Sequence, residues 1–132
     1  MIKFHELKPG DLVLAEYEGK QWEGVVKKLN RDEKEICVET EIQQFWFTPS
    51  HLNPIPLSDR QLQKLGFTKQ VNGDGSAKYA KGSFRILLPK VDNFSELEIW
   101  WREDRRHLDK PLHVHELQNH YYDMTKVELN VD

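Results

Sequence analysis

The sequence has little cysteine and no long apolar run. Cys37 is its only cysteine, which excludes an intramolecular disulfide and a cysteine-rich zinc site. No stretch approaches the roughly 20 apolar residues that a membrane-spanning helix needs, and the N-terminal residues lack the apolar core of a secretory signal. We therefore expect a cytoplasmic protein with no membrane partner, in which Cys37 is a packing residue of a strand.

The chain also has no excess of basic residues. It carries 19 Lys and Arg against 22 Asp and Glu, for a net charge of -3 over 132 residues. Nucleic-acid binding normally depends on a basic face. The two basic clusters are interleaved with acidic residues and are interpreted as solvated surface; they are Lys27–Lys28 with Arg31, and Arg102 with Arg105–Arg106. The charge balance disfavours nucleic acid but leaves a local basic patch open.

Motifs of catalysis and cofactor binding are missing as well. The sequence contains no Gly-x-Ser-x-Gly elbow, P-loop or dinucleotide fingerprint. His115 and His120 are five residues apart, which turns them about 140° away from each other on a helix. Asn119 stands where a zincin helix would carry its second histidine. We expect no enzyme, no cofactor and no metal site, and keep a metal-dependent enzyme using the C-terminal histidines as a third alternative.

Residues 1–56 read as a small all-β module. Apolar alternation and turn residues predict five short strands, at Leu12–Tyr17, Trp22–Val26, Ile36–Thr40, Gln43–Phe47 and around Ile55. A helical turn near Thr48–Leu52 precedes the last strand. This order of elements is typical of an SH3-like β-barrel.

Residues 57–132 have a different character. Ser58 is a good N-cap for a short helix that Gly66 ends, and Asn72–Ser76 is a strong hairpin signal. Antiparallel strands follow, with a charged loop around Asp104–Asp109. Leu108 and Leu112 predict one more short extended piece, interrupted by Pro111, and a final helix runs from about His113 to Thr125. The prediction is an α+β protein with an SH3-like β-barrel lobe at residues 1–56 and an α+β lobe at residues 57–132, packed as one compact unit.

The final helix carries the densest set of candidate contact residues. Val114, Leu117 and Tyr121 recur at helical spacing and define its buried stripe. Neighbouring strand residues point to opposite faces, so Trp100 and Trp101 cannot both enter one core. Exposed tryptophans often mark contacts. The predicted binding residues are Trp101, His115, Gln118, Asn119 and Tyr122.

Three segments resemble a family of small proteins of gut bacteria and their phages or other mobile elements. They are Lys8–Val13, Pro54–Phe67 with its Pro-Ile-Pro-Leu motif, and Val114–Thr125 with a His-x-Leu-Gln-Asn-x-Tyr-Tyr-like motif. Lys126 stands where the family pattern has Gly. The resemblance implies no activity, substrate or cofactor.

We therefore expect a non-enzymatic accessory or interaction protein of a bacterial or phage system, with a protein partner still to be identified. The alternative is a nucleic-acid-binding module that uses the SH3-like lobe.

Overall fold

The computed structural model describes residues 2–131 and has a mixed α+β fold, as predicted. It contains ten strands in two antiparallel sheets and two α-helices, α1 (Asp59–Lys64) and α2 (Val114–Thr125). The chain forms two compact units. The first comprises Met1–Ile55 and His113–Asn119, and the second comprises Pro56–Leu112 and His120–Asp132. Within residues 2–131, neither helix is both long enough and apolar enough to cross a bilayer.

The sheet of the first unit is a four-stranded meander extended by a distant fifth strand. Its strands are β1 (Leu12–Tyr17), β2 (Lys20–Asn30), β3 (Glu35–Thr40), β4 (Gln44–Phe47) and β5 (Leu52–Asn53). The strand order is β4-β3-β2-β1-β5, so β5 returns past three strands to pair with β1. A single 3-10 turn at Pro49–His51 precedes β5. Among the described residues no pairing between β4 and β5 closes this sheet.

Apolar residues of alternate strand positions form the core of this unit. The core residues are Ile2, Leu7, Val13, Ala15, Val26, Ile36, Val38, Phe47 and Leu52. Burial of a large apolar side chain stabilises a fold by about 1.5–3 kcal/mol. Gly24 lies in β2 because a Cβ there would stand 2.5 Å from Val38 Cγ1 and 2.9 Å from the Glu39 carbonyl oxygen. A close contact between β2 and β3 therefore requires glycine at this position.

Two details of the first unit differ from the sequence prediction. The last strand is Leu52–Asn53, and Ile55 lies outside it. β2 extends to Asn30, past the predicted end at Val26, because a register shift between Val26 and Lys28 lets its pairing with β3 continue. Cys37 is a buried strand residue, as expected.

The sheet of the second unit is a simple meander. Its strands are β6 (Thr68–Val71), β7 (Ala77–Lys81), β8 (Phe84–Leu88), β9 (Leu97–Trp101) and β10 (Asp104–Leu108), and they pair in chain order. One face supplies the buried side chains of Ala77, Tyr79, Phe84, Ile86, Leu88, Leu97 and Ile99. Phe84 contacts Phe67 and Tyr121 on this side. The opposite face of the sheet carries the more exposed positions.

Local signals place α1 in the second unit. Ser58 is its N-cap and its side chain accepts a hydrogen bond from the Gln61 N–H. Gly66 ends the helix with φ 92°, and the Phe67 N–H bonds to the Leu62 carbonyl oxygen, as in a Schellman motif. The Lys81 ammonium donates to the Leu65 carbonyl oxygen at 2.8 Å. The predicted start and end of this helix are confirmed.

The charged loop predicted around Asp104–Asp109 is wrong, because Asp104–Leu108 forms β10. Arg102 adopts φ 54°, and this left-handed turn residue lets the chain reverse directly after Trp101. Arg106 then pairs with Ile99 and Leu108 with Leu97 in register. Charged residues extend along the edge strand, which is a usual protection of a sheet edge.

Candidate functional site

The histidine-rich start of α2 belongs to a polar cluster of the first unit. His115 is 1% exposed, and its Nε2 lies 3.2 Å from Glu6 Oε2. A carboxylate only accepts, so Nε2 carries the proton. His115 Nδ1 is buried and has no hydrogen-bond partner within residues 2–131.

Glu6 and Asp11, two carboxyl groups of this cluster, have opposite environments. Partial burial raises the pKa of Glu6, but hydrogen bonds from His115 and from the Lys3 N–H outweigh it, so the pKa lies below its usual value. Burial raises the pKa of Asp11 above its usual value, although Lys8 favours the ionised form. Asp11 accepts from the Lys8 N–H at 3.0 Å and from its ammonium at 3.2 Å. These bonds close the turn that precedes β1.

Gln118 fastens α2 to the same turn. Its Oε1 accepts from the Leu12 N–H at 2.8 Å, and its Nε2 donates to the Gly10 carbonyl oxygen at 2.8 Å. The side chain is 0% exposed. Asn119 adds a third bond, from its Nδ2 to the Glu6 carbonyl oxygen at 2.7 Å. The amides of the terminal motif thus satisfy main-chain groups of the N-terminal segment.

His113 and Glu116 organise the first turn of α2. The His113 N–H donates to Glu116 Oε1 at 2.9 Å, and His113 Nδ1 lies 2.7 Å from the same oxygen. The backbone bond is one half of a capping box, with His113 at the N-cap and Glu116 three residues on. In the part of the chain that the structure describes, no three His, Cys, Asp or Glu residues are grouped so as to hold a metal ion.

The five predicted contact residues do not share one environment. His115 and Gln118 are buried and Asn119 is half-buried within the first unit. Trp101 and Tyr122 belong to the second unit, where Tyr122 is 40% exposed and the Arg102 guanidinium lies 4.9 Å from the Trp101 ring centre. His115 and Gln118 are inaccessible to a partner while these bonds hold.

Sequence reasoning missed an apolar pocket of the first unit. The pocket is a narrow cleft with a volume of about 10 Å³, room for about one water molecule, and is lined by Ala15, Tyr17, Trp22, Thr40, Ile42, Gln43, Phe45 and Phe47. The Tyr17 and Phe45 ring centres are 5.0 Å apart. Tyr17 is 38% and Ile42 54% exposed. Alternation around Phe45 in the sequence is a signal for this surface, but Tyr17 ends β1 and Ile42 lies between β3 and β4, so their place beside Phe45 depends on the strand pairing.

A second feature that sequence reasoning missed lies on the exposed face of the other sheet. Arg85, Trp100 and Arg105 are aligned across β8, β9 and β10. The two guanidinium carbons lie 4.0 Å and 4.1 Å from the centre of the Trp100 ring. The strands supply this alignment, which is invisible while Arg105 is assigned to a loop.

Comparison with known proteins returned nothing: no family model, no curated protein and no solved structure matches the chain.

Proposed function

We propose that this chain is a non-enzymatic interaction protein that binds an extended segment of a partner protein at the apolar pocket of its first unit. The observation that carries the proposal is the exposure of Tyr17 and Ile42 at the rim of a pocket lined by aromatic side chains. Exposed apolar side chains grouped around a concavity are typical of contact sites.

An SH3-like architecture for this unit is part of the proposal. The strand order β4-β3-β2-β1-β5 and the 3-10 turn before β5 support it. SH3-like domains dock extended peptides in aromatic-lined grooves, and a peptide can also add to a sheet edge. β4 is an edge strand of its sheet and contributes Phe45 and Phe47 to the pocket. A bound segment would run beside β4 and lay an apolar side chain against the exposed rim of the pocket, at Tyr17 and Ile42.

The polar clusters support a binding role over a catalytic one. His115, Gln118 and Asn119 are engaged in bonds to the segment from Glu6 to Leu12. We keep Trp101 and Tyr122 as secondary contact candidates of the second unit. The family resemblance supports an accessory role in a bacterial or phage system, and we place the protein in the cytoplasm.

The basic residues of the first unit give the alternative proposal, a nucleic-acid module in this lobe, less support. Lys27 pairs with Glu39 at 3.2 Å, and Lys34 lies over the Phe4 ring at 5.1 Å. Both cations thus have partners within the unit. The apolar pocket is the stronger feature of this unit.

The test is a selection of peptides from a random library on the immobilised protein, followed by affinity measurement for the recovered peptides. Tyr17→Ala and Ile42→Ser should each weaken binding about tenfold, which corresponds to about 1.4 kcal/mol. Trp46→Ser is the matched control, because Trp46 is 48% exposed but points to the other face of β4. Recovery of no binding peptide, or loss of binding only in Trp46→Ser, would overturn the proposal.

A further inference from the structure

We infer that the exposed face of the second sheet binds single-stranded nucleic acid through Arg85, Trp100 and Arg105. This site lies in the second unit and goes beyond the peptide site proposed for the first. The geometry of the three side chains, the unpaired charge of Arg85 and the chemistry of guanidinium groups support this site.

Trp100 is held between the two arginines by the strand register. Arg85 on β8 and Arg105 on β10 both pair with Trp100 on β9. β8 and β10 flank β9, so the guanidinium groups approach the ring from opposite sides, at 4.0 Å and 4.1 Å from its centre. The indole Nε1 donates to the Arg102 carbonyl oxygen at 2.7 Å, which fixes the ring. The result is a rigid row of three flat groups across the sheet.

The row carries two positive charges, of which one has a counter-ion within residues 2–131. Arg105 Nε lies 3.0 Å from Glu98 Oε1. Arg85 forms no ion pair within residues 2–131, and its Nε is buried without a hydrogen-bond partner. This Nε edge is out of reach of a ligand, so an anion would contact the guanidinium through its terminal amino groups, which present two parallel N–H donors to a phosphate or carboxylate. In the neighbouring row of this face, Lys78 on β7 adds a positive charge and Glu98 on β9 a negative one.

A nucleic-acid strand uses this arrangement more fully than an acidic peptide does. Both ligands supply anions, but only nucleic acid also supplies flat rings that stack on aromatic side chains and on guanidinium planes. Sheet faces with aromatic and basic side chains are a recurrent platform for unpaired bases. Because the two guanidinium groups cover both faces of the Trp100 ring, a base would stack on the outer plane of a guanidinium group, and phosphate groups would bind at the guanidinium edges.

The experiment titrates the intact chain into fluorescently labelled single strands of DNA and of RNA, of about 12 nucleotides, a length within the usual range of a single-strand site. Anisotropy is recorded at several salt concentrations. We expect binding that weakens with salt. Arg85→Ala should weaken it about tenfold and reduce the slope of log affinity against log salt by about 0.7, the share of one phosphate contact on a single strand. Arg85→Lys keeps the charge but loses the planar guanidinium group, so the affinity of this variant should lie between those of the wild type and Arg85→Ala.

Two further variants separate this site from a general effect of charge. Glu98→Gln removes the carboxylate that competes for Arg105, so binding should become about twofold to fivefold tighter, a direction that damage to the fold would not produce. Arg31→Ala removes an exposed arginine from the turn between β2 and β3 and should leave affinity unchanged. Thermal unfolding of each variant verifies that the fold is retained.

Three outcomes would overturn the inference. One is the absence of binding to either strand at protein concentrations up to about 100 µM, the weak end of non-specific nucleic-acid binding. Another is an equal loss of affinity for the labelled strand in Arg31→Ala and in Arg85→Ala. The last is displacement of the strand by polyglutamate or by inorganic phosphate at matched charge, which would make the row an anion site for an acidic protein or for a free ion. None of these outcomes bears on the peptide pocket around Tyr17.

Discussion

The two five-stranded sheets differ in how far apart in the sequence their paired strands lie. In the second unit, each strand from β6 to β10 pairs with its neighbours in the chain. In the first unit β5 returns to pair with β1, and the turn before β1 is held by α2 residues more than 100 positions away, as in the bond between Leu12 and Gln118. The first unit therefore depends on distant parts of the chain, whereas the sheet of the second is organised locally.

The exposed surfaces of the two units also differ in their chemistry. The first presents a pocket rimmed by Tyr17 and Ile42, which suits an apolar segment. The second presents a row of Arg85, Trp100 and Arg105, which suits an anion. The terminal motif, which looks like a contact surface in the sequence, is largely occupied in fastening the first unit. A residue pattern that looks functional in the sequence can thus stabilise the fold, whereas the exposed surfaces are found from the strand register.

The largest expected effect is that of Gln118→Ala. This change leaves the Leu12 N–H and the Gly10 carbonyl oxygen without their partner and opens a cavity, so the free energy of unfolding should fall by about 3–5 kcal/mol. Denaturant unfolding measures it. The matched control is Gln63→Ala on the exposed face of α1, which should change stability by less than about 0.5 kcal/mol. Equal effects of the two changes would refute the fastening role.

Gly24→Ala should be nearly as damaging. The new Cβ would stand 2.5 Å from Val38 Cγ1, so β2 and β3 must separate locally, at a cost of about 2–3 kcal/mol. Gly73→Ala, in the hairpin of the second unit, has open space within 4 Å of the added Cβ and should be neutral or slightly stabilising. Thermal unfolding of the two variants makes the comparison. A Gly24→Ala variant as stable as Gly73→Ala would contradict the close approach of the two strands.

Tyr79→Phe probes a local bond of the second unit. The Tyr79 hydroxyl donates to Asp59 Oδ1 at 2.6 Å, and Asp59 also pairs with Lys69 at 3.2 Å. Burial and this bond raise the pKa of Tyr79. Because Asp59 keeps Lys69 as a partner, loss of the hydroxyl should cost only about 1 kcal/mol in denaturant unfolding. A loss as large as that of Gln118→Ala would remove the contrast between the two units.

The smallest effect concerns Glu6 and pH. Its pKa is lowered in the folded chain, so its contribution to stability is present above the unfolded value and is lost as pH falls through the folded value. The stability advantage of the wild type over Glu6→Gln should therefore shrink as pH falls from about 6 to about 3. Unfolding curves across this range test it. Asp11, whose pKa is raised, contributes to the pH dependence of stability with the opposite sign. Asp11 is present in the wild type and in Glu6→Gln, so its contribution cancels in the comparison.

Local signals were the part of the fold that could be predicted from the sequence. Ser58 caps α1, Gly66 ends it, and Val114, Leu117 and Tyr121 are the buried stripe of α2. The sequence did not predict β10 over Asp104–Leu108, because its charged residues do not alternate with apolar ones. A strand at the edge of a sheet can form without that alternation. The bonds of Gln118 to Leu12 and Gly10 could not be predicted. A glutamine that faces solvent and a glutamine that binds distant backbone groups have the same sequence pattern on a helix.

The most direct test of two chemically distinct faces is one binding experiment with two ligands and two variants. Wild type, Tyr17→Ala and Arg85→Ala are each titrated with a peptide recovered by library selection and with a single-stranded oligonucleotide. Tyr17→Ala should lose affinity for the peptide alone, and Arg85→Ala for the oligonucleotide alone, each by about tenfold. If either variant, with its fold intact, loses both ligands equally or neither, the assignment of separate binding faces to the two units is contradicted.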